Sequence, residues 1–314
     1  RSLDPNAANP WSQTVLLADI TGSLAVSATD LFTVSGSVPM TYKYQDPLIN
    51  NASTLTVSTA TITGGVLRNL FTGTIQARNL VLSAPSALGT ELPAWGVVQA
   101  TAIGTLAMPA ANGFDISGTV EVNYVSRDQA WGAGPSYTVK QATLRTNIVS
   151  NENSFATLFS GDVTATNVVF IPVAAANGTG SQWQAQAFDA SGNLKLGVVD
   201  GFEINASASI SWRRSDRDLN GIPSFRVNTA TLKTGEAETE GNRKGIFSGE
   251  ITVNNAVFGL AAGTGGSGNQ WQAQSFEATG KVALNAIPGF AVSSDAKVTW
   301  ERSDSNYDNA TTCL

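Results

Sequence analysis

The side chains best placed to do chemistry stand at Asp216, Asp218 and Asn220, three oxygen-bearing residues at alternate positions, followed by Gly221. Such a run ahead of a glycine that turns the chain sharply suits calcium, which gathers about six to eight oxygen ligands. At the same phase further on come Asp304, Asn306 and Asp308, where Asn309 is able to take the left-handed turn in place of glycine. Neither segment carries the closing glutamate of an EF-hand loop. The competing reading needs no metal, because Asp-x-Asn-Gly sequences form polar turns in which the side chains bond their own backbone. Both readings stand at this level, and calcium is the one cofactor the sequence suggests.

A second constellation is aromatic. Trp183 is flanked by Gln182, Gln184 and Gln186, and Trp271 by Gln270, Gln272 and Gln274. Aromatic faces beside amides suit carbohydrate, and two equivalent sites would add avidity. Tryptophan anchoring a strand to a core, with glutamines on the solvent side, explains the same residues without a ligand. Catalysis has little to draw on: the chain has no histidine and a single cysteine, Cys313, which removes His-dependent triads and ordinary zinc sites. Glycoside chemistry needs converging carboxylates, commonly a pair. Here the acidic residues spread in step with a repeat or gather at 236–240, so the expectation is that the chain is not an enzyme.

That repeat positions everything else. QWQAQAFDASGNLKLGVVDGFEINASASISWRRSD at 182–216 returns as QWQAQSFEATGKVALNAIPGFAVSSDAKVTWERSD at 270–304, a period of 88 residues. Trp95, Gly104, Phe114 and Asp128 hold the same places one period earlier, and Gly22, Phe32 and Asp46 a further 82 residues upstream. Periodic self-similarity has to be read before anything else, because it sets the architecture. The predicted organisation is an extended arm at 1–12, repeats at 13–94, 95–182 and 183–270, and a half repeat at 271–314. The six residues missing from the first copy fall in one polar connection, as expected of a surface loop.

Within each unit the apolar residues alternate. Phe202, Ile204, Ala206, Ala208, Ile210 and Trp212 point one way and Glu203, Asn205, Ser207, Ser209 and Ser211 the other, a strand rather than a helix period. The fold class is all-β. Aromatics at Phe202, Phe225, Phe247, Trp271 and Phe290 recur every 22 residues or so, which suggests an elongated β-solenoid or β-helix of stacked coils. The alternative is a string of small antiparallel β-sandwich units, favoured by the length of the run at 202–212.

GFEINASASISWRRSD at 201–216, LFTVSGSV at 31–38 and the Trp…Ala…Gly…Leu run before them resemble the tandem β-repeats of very large secreted or surface-attached bacterial proteins. The resemblance covers residues 13–312. It implies extracellular scaffolding or adhesion, often with calcium, and the chain departs from it in lacking long acidic calcium loops.

Composition narrows the partners. A net charge of −6 with 13% charged residues argues against nucleic acid, which calls for a basic face. No run of about 18 apolar residues is present to cross a membrane as a helix. Sequons at Asn51, Asn177, Asn205 and Asn309 leave glycosylation open. The expected function is an extracellular or cell-surface structural repeat protein, the subunit of a filament, sheath or surface layer. An adhesin or carbohydrate-binding rod is the alternative. Both terminal parts of the repeat carry the core pattern, so the expected partner is another copy docked head to tail, with the arm 1–12 donated as a strand and Cys313 able to form an intersubunit disulfide.

Overall fold

The computed structural model describes residues 17–23, 26–27, 33–35, 37–46, 52–62, 75–83, 96–107, 114–115, 117–145, 162–174, 181–191, 202–203, 209–233, 250–262, 269–284, 292–304 and 310–313. The expected arm 1–12, the four sequons, the variable connection at 234–249, and Asn306 and Asp308 lie outside them. Two compact units divide the chain, one comprising residues 1–109, 115–141 and 169–183, the other residues 110–114, 142–168 and 184–314.

In chain order the strands begin with β1 (Leu17–Ser23), β2 (Val26–Ser27), β3 (Thr33–Ser35), β4 (Ser37–Asp46), β5 (Ala52–Ile62), β6 (Ile75–Ser83), β7 (Gly96–Ala107), β8 (Phe114–Asp115), β9 (Ser117–Asp128) and β10 (Gly134–Arg145), the last two joined by a single 3-10 turn. Strands β11 (Asp162–Ala174) and β12 (Ser181–Ser191) follow, and β8, β10, β11 and β12 each contribute residues to both units. The second unit continues with β13 (Phe202–Glu203), β14 (Ile210–Arg213), β15 (Ser224–Lys233), β16 (Glu250–Ala262), β17 (Asn269–Leu284), β18 (Val292–Asp304) and β19 (Ala310–Cys313). The protein is all-β, as expected. No helix among the described residues is long and apolar enough to cross a membrane.

Pairing is antiparallel within both units and runs between neighbours in the chain: β4 with β5, β5 with β6, β6 with β7 and β7 with β9 in one, and β14 through β19 in succession in the other. This meander replaces the stacked coils expected of a β-helix. The spacing of about 22 residues is that of a strand plus its connection, since β15, β16, β17 and β18 begin at Ser224, Glu250, Asn269 and Val292. Across the hairpins Asp19 faces Thr41, Thr101 faces Asn123 and Asp189 faces Ser211. The Thr41, Thr101 and Ser211 hydroxyls donate across those pairs at 2.8, 2.7 and 2.7 Å. A coil of that length and a strand of that length with its connection leave the same periodic mark in sequence. Pairing also crosses the expected repeat boundaries, β6 with β7 and β16 with β17, so the sheet is not broken into separate sandwiches there.

One face of each unit's sheet is apolar and buried. Val57, Ala77, Leu80, Leu82, Val122 and Tyr124 line it in the first unit, and Phe188, Trp212, Phe225, Val227, Phe258 and Trp300 in the second. The opposite face carries Thr, Ser, Asn and charged residues, which follows from the two-residue period of side chains along a strand. Of the alternating run at 202–212, Ile210 and Trp212 are buried as expected, and residues 204–208 lie outside the described set.

Asparagine shapes the sheet at a position the alternation did not flag. Asn79, Asn167 and Asn255, each 88 residues from the next, have φ of 52°, 51° and 51°. Two of them sit where pairing slips, between Arg78 and Val81 and between Asn254 and Val257. The extra residue of a bulge calls for a left-handed backbone, which Asn adopts at little cost and β-branched residues do not. Replacing Asn255 by glycine is expected to change stability by no more than about 0.5 kcal/mol, and Asn255→Val to lower it by about 1–2 kcal/mol in urea unfolding. Equal effects of the two substitutions would show that the left-handed backbone is not what selects asparagine here.

Candidate functional site

The segment from Asp216 to Arg226 assembles the expected calcium ligands into a hairpin connection. Asp216 is extended and caps a 3-10 turn over Arg217–Leu219, after which Asn220 at φ 56° and Gly221 at φ 82° reverse the chain. The Asp216 carbonyl accepts from the Leu219 and Gly221 amides at 3.1 and 2.7 Å, and its amide donates to the Ile222 carbonyl at 2.9 Å. The carboxylate is equally committed. Oδ1 accepts from the Asp218 amide at 3.0 Å, Oδ2 accepts from the Ser224 hydroxyl at 2.6 Å, and Arg226 Nη2 donates to Oδ2 at 3.1 Å.

Asp216 is 1% exposed, whereas Asp218, whose Oδ2 also accepts from Arg226 Nη2 at 3.0 Å, is 79% exposed. Burial by itself would raise the Asp216 pKa. The Ser224 hydroxyl, the Asp218 amide and the Arg226 guanidinium outweigh it and hold the carboxyl below its ordinary value. A guanidinium thus bridges the two carboxylates that the calcium reading assigned to a metal ion. Among the described residues no three His, Cys, Asp or Glu side chains gather as metal ligands. Asp304 is placed by its backbone alone, opposite Ala310 at the turn between β18 and β19. Added calcium is therefore expected to leave the melting temperature unchanged relative to chelator. A calcium-dependent rise that Asp218→Ala removes would mean that the ion displaces Arg226.

The same loop recurs where the alternating oxygens are missing. Asp128 accepts from the Ala130 amide at 3.0 Å and from the Ser136 hydroxyl at 2.6 Å, and Gly132 and Ala133 repeat the left-handed pair at φ 82° and 58°. Asp46 accepts from the Thr54 hydroxyl at 3.0 Å. The common requirement is an Asp with a Ser or Thr eight residues later, written at Thr54, Ser136, Ser224 and Thr312. That spacing is present in the sequence, independent of the alternating oxygens that suit a metal.

Each tryptophan of the Trp/Gln strands is half-buried and packs against another aromatic ring. Trp183 meets Tyr137 edge-on with centroids 4.3 Å apart, and Trp271 meets Phe225 at 5.0 Å in the same geometry. The glutamines turn along their own strands: Gln186 Nε2 donates to the Gln184 carbonyl and side-chain oxygen at 3.3 Å, and Gln274 Nε2 to the Gln272 carbonyl at 3.2 Å. Gln186 and Gln272 are buried, and Gln270 is exposed. Sequence reasoning did not foresee the roles of Arg214 and Arg302. Their Nε groups donate to the Ala185 and Ala273 carbonyls, both at 2.7 Å, while their guanidinium carbons sit 5.5 and 5.7 Å from the Trp212 and Trp300 ring centroids. Burial lowers the Arg214 pKa from its usual value without removing the charge at neutral pH. Cys313 faces Trp300 across β18 and β19.

A cleft of about 490 Å³ lies in the second unit, beside the Asp216–Ser224 loop. Its floor follows one transverse row of the sheet, in which Arg226 faces Val257, Val257 faces Ser275 and Ser275 faces Glu301. The loop forms a wall with Asp218, Asn220 and Ile222. Compared with family models, curated proteins and solved structures, the chain matches none.

Proposed function

We propose that this chain is an extracellular structural repeat protein, a subunit of a filament, sheath or surface layer built by head-to-tail addition of copies. The observation that supports this reading is how the polar side chains are used. The Asp-to-Ser/Thr bond eight residues along recurs at Asp46, Asp128 and Asp216, and the Arg-to-carbonyl bond recurs at Arg214 and Arg302. Residues repeated in step with the strands and bonded to the sheet's own groups build a scaffold. Main-chain pairing is also the means of growth: a strand offering a free row of amides and carbonyls adds another strand in register, and copies joined through unlike edges form an open fibre unless the rotation closes a ring.

The test is negative-stain microscopy of the full chain, with light scattering of the full chain and of a variant lacking residues 1–12. Ordered polymers that shorten or vanish on truncation are expected. Monomers from both proteins at high concentration would overturn the reading and favour the adhesin rod.

A further inference from the structure

We propose that the cleft beside the Asp216–Ser224 loop binds a neutral saccharide, at a place that takes Gln274 from the second Trp/Gln strand but neither tryptophan. Arg226, Asp218, Asn220, Gln274 and Glu301 all border it. These five side chains end in planar amide, carboxylate or guanidinium groups, the geometry that pairs with neighbouring hydroxyls two at a time. Leu219, Ile222 and Val257 supply apolar surface for the C–H face of a sugar ring. The volume falls in the range of about 300–1,000 Å³ typical of small-molecule sites. Arg226 and Glu301 stand three strand spacings apart along the floor row, about 14 Å between backbone positions, so an oligosaccharide of more than one ring is accommodated along it.

Charge selects the ligand class. Arg226 already bridges Asp216 and Asp218, so it brings no uncompensated positive charge to the cleft. Glu301 and Asp218 repel a ligand carrying a carboxylate, phosphate or sulfate. A neutral polyol offers hydroxyls to these acceptors without that penalty.

This cleft also departs from the symmetry of the repeat. The positions 88 residues before Asp218, Arg226 and Glu301 are Ala130, Thr138 and Arg213, which do not reproduce the set. The bulk beneath the loop differs as well. Ile222 packs against Gly259, where an added Cβ would come within 2.8 Å of the Ile222 Cδ1, and the Leu260 amide donates to the Pro223 carbonyl at 2.9 Å. At the corresponding earlier positions glycine and isoleucine are exchanged, as Gly134 and Ile171. Gln274 and Val257 recur one period earlier as Gln186 and Val169, whereas Asp218, Arg226, Glu301 and the seating of Ile222 on Gly259 belong to one copy. The inference does not depend on assembly, since a monomer presents the same cleft.

The experiment is to apply the full chain to an array carrying neutral oligosaccharides together with sialylated and sulfated ones. The strongest binder is then titrated calorimetrically against the native chain, Glu301→Gln and Ser275→Trp, with calcium chloride titrated separately. Retention of a neutral saccharide is expected, weakened about tenfold by Glu301→Gln, which loses a charged acceptor, and abolished by Ser275→Trp, which fills the floor, with melting curves unchanged. If Ser275→Trp does not fold, the conservative Glu301→Gln decides alone. The proposal is overturned if no neutral saccharide is retained, if only acidic glycans are, if both variants bind as the native chain does, or if calcium alone binds in a manner lost with Glu301→Gln while no saccharide is held.

Discussion

Truncating Trp212 to alanine is expected to destabilise the second unit by about 3–5 kcal/mol, the usual range for a large buried aromatic. The indole is 1% exposed, stacks on Phe188 with centroids 5.2 Å apart and rings inclined by 25°, and faces Phe225 on the next strand. The Arg214 guanidinium lies beside the same ring at 5.5 Å. Removing the ring therefore opens a cavity, ends a stacked pair worth about 0.5–1.5 kcal/mol beyond its area, and deprives a half-buried cation of its aromatic neighbour. Trp212→Phe keeps most of the volume and is expected to cost less than half as much. Because the chain forms two units, a single melting temperature will not resolve the loss, and hydrogen exchange will. Protection should fall in β12, β14 and β15 and persist in β5, β6 and β7. A uniform loss of protection, or a cost under about 1 kcal/mol, would show that the stack is not a local keystone.

The stack also shows how much of the fold was legible. The alternation around Ile210 and Trp212 marks a strand with one buried face, and periodicity reports that because side-chain direction is a local consequence of extended backbone. Which strand lies beside which is not local. Phe188 and Trp212, 24 residues apart, meet because a hairpin folds one strand back on the other, and a stacked coil of similar length would have produced the same spacing. Periodicity alone therefore could not separate the coil from the meander.

The site was legible in a different measure. Asp216 and Asp218 were singled out as neighbouring oxygens, and they do lie together. What the local run could not reveal was Arg226, brought between them by the return strand β15, nor Ser224, whose hydroxyl completes the cap. Glu301, Ser275 and Val257 come to the same cleft from three further strands through register alone. The left-handed asparagines were readable in principle, since Asn79, Asn167 and Asn255 recur at the repeat spacing. A polar residue on a polar face gives no reason to expect positive φ until the bulge is seen.

Replacing Asp216 by alanine is expected to cost about 3 kcal/mol and to flatten the acid limb of stability. The carboxylate closes three bonds at once, to the Ser224 hydroxyl, the Asp218 amide and the Arg226 guanidinium, and its removal leaves the buried Ser224 hydroxyl without that partner. Hydrogen bonds to a charged group contribute about 1.5–3 kcal/mol each, but Arg226 is 42% exposed and regains water when released, so the three do not sum. The sign of the pH effect follows from the depressed pKa. In the folded state Asp216 releases its proton more readily than at its ordinary value of 3.8, so the unfolded chain binds more protons in that range. Its stabilisation is complete above about pH 4 and is lost as pH falls through the lower folded value. In Asp216→Ala that part of the acid dependence should vanish, whereas in Asp218→Ala, where the exposed partner is removed and the buried one remains, most of it should survive. Urea midpoints measured from pH 2 to 7 decide the matter: an acid limb of equal slope in native and Asp216→Ala chains would mean that other carboxylates carry it.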